Sequence, residues 1–93
     1  LDKIENQIST RVNSLNLSVK DGKNITGVIV DEVDPDSNLK SGDVITEVNR
    51  EIITNSKNFI DLIDSIKNTG RNSLLLKILR DEKSLWITIK FVK

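Results

Sequence analysis

Serine hydroxyls, lysine amines and closely spaced carboxylates are the groups in this chain that could do chemistry, and histidine is missing altogether. Without an imidazole no serine can join a Ser-His-Asp triad, and the usual general base near neutral pH is absent. A Ser–Lys pair would need a strained nucleophile turn or a desolvated lysine, and the sequence signals neither. "DPDSN" sets Asp34, Asp36 and Asn38 at the first three ligand spacings of a calcium loop. The match stops there. Leu39 stands where that loop needs glycine and Ile45 where it needs a bidentate glutamate, so the stretch reads as a polar turn. Cysteine is also absent, which removes disulfides and thiolate metal sites without choosing a compartment. The expectation is a domain with no catalytic residue, no metal and no cofactor, which is not an enzyme by itself.

Ninety-three residues, 37% apolar and 30% charged, suit one globular domain with one modest core. Fourteen basic residues balance fourteen acidic ones, so no global field gathers nucleic acid or an anionic membrane. No apolar stretch approaches the ~20 residues that span a bilayer, and the start is not a basic-then-apolar signal. The chain is expected to be soluble, and it can be a piece of a longer one.

Residues Leu1 to Asn13 carry Ile4, Ile8 and Val12 at helical spacing in a stripe one residue wide, which suggests a linker or marginal lead-in helix. The domain proper is then expected over 14–93. From Ser14 the pattern alternates, with Leu15, Leu17 and Val19 on one side, up to the turn signal Asp21-Gly22. A second strand is expected over Thr26 to Val33, a third over Asp43 to Asn49 after the Ser41-Gly42-Asp43 turn, and a short extended piece around Ile52 and Ile53. Phe59, Ile60, Leu62, Ile63 and Ile66 recur at helical spacing between a cap at Asn55 or Ser56 and a stop at Gly70. Two closing strands, Ser73 to Leu79 and Ser84 to Val92, flank "RDEK", whose length fits a hairpin. A chain this short can protect so many edges only by curling its sheet into a small barrel or sandwich and laying the helix over an opening. Trp86 points opposite to Leu85, Ile87, Ile89 and Phe91, and so either covers a second layer or stands out as an anchor for a neighbouring domain.

"GVIVDEVDPDSNLKSGDVITEVNREI", then the amphipathic helix, then "SLLLKILRDEKSLWITIKF", resemble a PDZ domain of the bacterial HtrA/Deg type over about Ser14 to Phe91. That family runs through a Gly-Val strand, a "PxS" loop, a "LKxGDVIxxVN" strand and a "RDG" hairpin in this order. The style of "VDPDS" and "RNSLLLKILRDE" is most similar to the C-terminal of two PDZ domains in a periplasmic DegP-like serine protease. "PDSNLKSGD" is about five residues shorter than the family pattern. The resemblance therefore implies a mainly β (α+β) fold, a five- to six-stranded partly open barrel under one main helix, with the first short helix reduced or absent and Leu39 plugging the core alone.

The resemblance also implies a function. Such domains bind C-terminal or unfolded peptide segments by strand addition, in which backbone bonds give affinity and side-chain pockets give selectivity. The loop that holds a terminal carboxylate matches Leu15, Asn16 and Leu17, where Asn16 replaces the usual glycine and is the non-glycine residue best suited to a left-handed backbone. The groove would be lined by Leu15, Leu17, Ser18 and Val19 on the strand and by Phe59, Ile63 and Ile66 on the helix. Ile66, like Leu62, reads first as core, Phe59 and Ile63 can serve core and groove together, and Arg11 is either near enough to add charge or an ordinary surface arginine. With Phe59 where many relatives carry histidine, apolar residues are expected at the final and third-from-final peptide positions. Further partners implied are the protease domain and a neighbouring PDZ of the same chain, and a homo-oligomer of the full-length protein, in the periplasm. The alternative is a structural or oligomerisation module of the same protease whose groove is non-functional or self-occupied, with Trp86 as a possible assembly surface.

Overall fold

Asn49–Arg50 and Asp81–Glu82 each set two consecutive residues at positive φ, 50° and 72°, then 53° and 66°. That pairing is the type I′ turn, whose twist matches the strands it joins. In the computed structural model, which describes residues 9–22 and 26–91, these turns close two hairpins. The first joins β4 (Val44–Val48) to β5 (Glu51–Ile52), and the second joins β6 (Ser73–Arg80) to β7 (Lys83–Lys90). With β1 (Ser9–Val12), β2 (Leu17–Asp21) and β3 (Val28–Val33) they form one antiparallel seven-stranded sheet, in the order β1-β2-β3-β4-β6-β7, with β5 on the margin of β4. Among the described residues the fold is mainly β with one α-helix, as expected, and the sheet has seven strands where five to six were expected, β1 being the addition. Between Asp34 and Asp43 the chain makes only turns.

Strand alternation divides the sheet. Leu74, Leu76 and Ile78 of β6 are buried and oppose Ile89, Ile87 and Leu85 of β7, while Lys77 and Trp86 pair on the other face. A bulge between Ile45 and Glu47 keeps Ile45 and Val48 inward, because one extra residue restores the period-2 register. Leu39, on the turn segment before β4, is 2% exposed and joins the core cluster.

Helix α1 (Ser56–Asn68) closes the core with Phe59, Ile63 and Ile66. Its N-cap is Asn55, whose Oδ1 accepts from the Asn58 N–H at 2.8 Å, and Asn58 Oδ1 accepts in turn from the Thr54 N–H at 3.0 Å. This reciprocal arrangement satisfies donors the helix cannot. Asp21 Oδ1 accepts from the Ser56 N–H at 2.6 Å and ties the end of β2 to the helix start.

Two observations differ from the sequence reading. Ser9–Val12, within the stretch expected to be a linker or lead-in helix, is an edge strand of the sheet. Ile4 and Ile8 of that stretch lie outside the described residues. Leu15, assigned to the first strand by alternation, belongs to a 3₁₀ turn, Asn13–Leu15, and still faces the core.

Asp43 holds the restart of β4. Its Oδ2 accepts from the Lys40 N–H at 2.8 Å, and Arg80 donates to both of its oxygens, at 2.8 and 2.7 Å. Arg80 also donates to the Asn38 carbonyl at 3.0 Å. Burial by itself would raise the Asp43 pKa, but the Arg80 hydrogen bonds, the Lys40 amide and the charges of both residues outweigh it and hold the carboxyl below its ordinary value. A depressed folded pKa means that the Asp43 contribution is complete above the ordinary carboxylate range and is lost as pH falls through the folded value. Arg80 is pushed the other way, above the ordinary guanidinium value, first by that hydrogen bond, so it stays charged throughout. Urea midpoints measured from pH 7 down to pH 2 are expected to show a component of acid destabilisation that Asp43→Asn removes. An acid limb of unchanged size in that variant would contradict the assignment.

Candidate functional site

The turn matched to the carboxylate loop is the tip of a hairpin. Asn16 adopts φ 55°, ψ 46°, the left-handed conformation expected of it, and its N–H donates to the Asn13 carbonyl at 3.3 Å. That bond closes the turn between β1 and β2 and takes up the central one of the three amides considered for anion binding. Arg11 turns to the same loop. Its Nη2 donates to Asn16 Oδ1 and its Nε to Asn13 Oδ1. Asn16 Nδ2 then donates to Asp34 Oδ2 at 3.3 Å, and Asp34 Oδ1 accepts from the Asp36 N–H at 2.9 Å. The side-chain relay Arg11–Asn16–Asp34 links the hairpin tip to the "DPDSN" turn, and it borders a cleft of about 690 Å³ with Glu32, Pro35 and Lys40 on its walls. Sequence proximity already set Arg11 beside the Asn16 loop; the link to Asp34, eighteen residues beyond Asn16, was not announced by spacing.

Strand addition needs a strand with an unpaired edge. Here β2 is paired on both sides. β3 lies along one edge, and β1 lies along the other with Ser9, Thr10, Arg11 and Val12 opposite Lys20, Val19, Ser18 and Leu17. The open margin expected at Leu17, Ser18 and Val19 is therefore covered by the chain's own backbone. The physical reason is local: a turn as tight as Asn13–Asn16 folds Val12 directly back onto Leu17, and Val12 gains burial, at 6% exposed, by staying there.

The helix residues assigned to the groove are core. Phe59 and Ile63 are fully buried and Ile66 is 8% exposed; Leu17, Ser18 and Val19 are buried as well. The structure thus brings Leu15, Leu17, Val19, Phe59, Ile63 and Ile66 together in one buried cluster, with Ser18 buried beside them, while Asn16 stays half-exposed at the hairpin tip.

Trp86 stands outward, 49% exposed. Lys77 Nζ lies 5.6 Å from its ring centroid, within cation–π range, and 3.5 Å from Glu47 Oε2. Glu47, Arg50, Leu75, Lys77 and Trp86 enclose a shallow recess of about 450 Å³ on this outer face. Of the two sequence readings of Trp86, the exposed one describes its place.

No protein-family model matches the chain. Relatives do. The chain is 29% identical over 83 residues to the "Probable periplasmic serine endoprotease DegP-like" of Brucella suis, covering 84% of this chain and 16% of that protein. It is 40% identical over 74 residues to the "Serine protease HtrA-like" of Staphylococcus aureus (strain bovine RF122), covering 74% of this chain and 10% of that protein. The chain thus spans about a sixth or less of the curated relatives it matches. One antiparallel sheet under a single helix among the described residues, the Asp43-led strand restart and this sequence kinship agree: the chain is a PDZ-type domain of the kind carried by HtrA/DegP-like serine proteases.

Proposed function

We propose that this domain is a non-catalytic assembly module of an HtrA/DegP-like serine protease, the C-terminal of two PDZ domains in its parent, with its strand-addition edge filled by its own β1. The parent is a periplasmic serine endopeptidase on this reading, in line with the DegP-like name of its relatives. Among the described residues no helix is long and apolar enough to cross a membrane. The domain then contributes surface and rigidity to its parent, contacting the protease domain and a neighbouring PDZ, while capture of free chain ends falls to other parts of the protein.

The observation that carries this reading is the four-pair ladder between β1 and β2. An incoming peptide would have to displace four residues that are covalently tethered by a tight turn, and tethering gives them an effective concentration in the millimolar range or above. A weak, reversible C-terminal peptide does not compete with that. The burial of Phe59 and Ile63 removes the side-chain pockets as well.

A nuclear magnetic resonance titration tests the proposal, using C-terminal peptides with apolar residues at the final and third-from-final positions. The amides of Leu15 to Val19 and Phe59 to Ile66 are expected to stay in place up to millimolar peptide. Saturable shifts concentrated at those amides would replace the assembly reading with peptide capture.

A further inference from the structure

One row of cross-strand neighbours runs over the outer face of the sheet. Ile52 of β5 pairs with Glu47 of β4, Glu47 with Lys77 of β6, and Lys77 with Trp86 of β7. Directly opposed residues of antiparallel strands share a face, so the four side chains stand side by side in the order apolar, acidic, basic, aromatic. Both ends are open to solvent, Ile52 at 67% and Trp86 at 49% exposed, and the central ion pair is partly covered. The next row along the strands is apolar at its centre, where Val44 of β4 opposes Leu79 of β6.

We infer that this face docks a second copy of the same domain about a two-fold axis running parallel to the strands between β4 and β6. The pattern is what such an axis requires. Reversing the row places Trp86 against Ile52 of the other copy, Lys77 against its Glu47, Glu47 against its Lys77 and Ile52 against its Trp86. The apolar row answers in the same way, Val44 meeting Leu79 of the second copy. Every charge finds its opposite and every apolar end meets an apolar end, which is the self-complementarity an isologous contact needs. Two sheets laid face to face with strands nearly aligned pack about 10 Å apart, close enough for these side chains to interdigitate. Arg50 lies on the β4–β5 turn beyond the row, at the rim of the recess. An unrelated partner would have no reason to match both halves of this row at once. The inference rests on the assembly reading above and gives it a surface, a partner and a register.

Charge exchange tests it with the 93-residue chain. The unaltered chain is expected to pass from monomer to dimer in sedimentation equilibrium between about 10 µM and 1 mM, the weak range of a small interface. Glu47→Lys makes the row apolar, basic, basic, aromatic, and Lys77→Glu makes it apolar, acidic, acidic, aromatic. Each variant alone then sets like charges against each other and is expected to weaken self-association by about tenfold or more. Mixed in equal amounts, the two variants restore the match and are expected to associate within a few-fold of the unaltered chain. Melting curves close to the original show that each variant is folded, since the pair is partly exposed and contributes little to stability. A chain that stays monomeric at 1 mM, or a mixture no stronger than its components, overturns the inference. If either result comes with silence in the peptide titration, the two-fold contact fails while the assembly reading stands; if peptide shifts appear instead, the assembly reading fails on its own account.

Discussion

Phe59→Ala is expected to lower the unfolding free energy by about 3–5 kcal/mol, the range for deleting a fully buried aromatic ring from a close-packed core. In a domain of this size each kcal/mol shifts the melting temperature by about 4–8 °C, so thermal unfolding would show the loss plainly. The reason is positional. Phe59 is fully buried in the first turns of α1, in one cluster with Leu17 and Val19 of β2, and with β1 holding the outer edge of β2 nothing opens that space to solvent. A residue lining an open groove would behave differently, losing ligand affinity with little change in stability. A Phe59→Ala variant that melts within a few degrees of the original would therefore place the ring in an accessible groove and contradict the packing described here.

The second large effect is at a backbone crossing. Gly27 has φ +118°, and a Cβ built on it would lie 2.5 Å from the carbonyl oxygen of Ile45. Ile45 is fully buried at the start of β4, beside the bulge. Neither partner can give way cheaply, since the clash is with main chain and the φ value is one that L side chains rarely adopt. Gly27→Ala is expected to cost about 3 kcal/mol or more, adding backbone strain to overpacking. Urea unfolding measures it. A midpoint close to the original would mean that β3 and β4 do not approach as closely as described.

Some of this architecture was written in the sequence and some was not, for physical reasons. The helix was legible because Phe59, Ile63 and Ile66 repeat over about two turns between a side-chain cap and a glycine, so local and tertiary preferences agree. "RDEK" announced its hairpin by length. Asn16 announced its left-handed backbone through the tolerance of asparagine for that region, and φ 55° bears it out. What the conformation accomplishes was hidden, since a left-handed residue can cradle an anion or close a turn, and only the partner of its N–H decides. Here the partner is the Asn13 carbonyl.

β1 was the larger loss. Four residues, Ser9 to Val12, allow too few alternations to reveal a strand, and Val12 fell into register with Ile4 and Ile8 at helical spacing. Its identity as a strand comes from the edge of β2, which no local window contains. Core and groove were confounded for the same reason: periodicity shows that Phe59 and Ile63 face inward, but whether the inside is open depends on what lies across from them. The Trp86 row was half legible. Alternation separated Trp86 from Leu85 and Ile87, while its neighbours Lys77, Glu47 and Ile52 come from three other strands and appear only in the sheet register.

The claim that β1 fills the edge of β2 is tested most directly by cross-strand proton contacts in solution. Nuclear Overhauser spectra of the 93-residue chain are expected to connect Thr10 with Val19 and Val12 with Leu17, the opposed pairs of the ladder, with the amides of β2 protected from hydrogen exchange along both edges. If those contacts are missing and the β2 amides that face β1 exchange at unprotected rates, the edge is open and the account of a self-occupied domain is wrong.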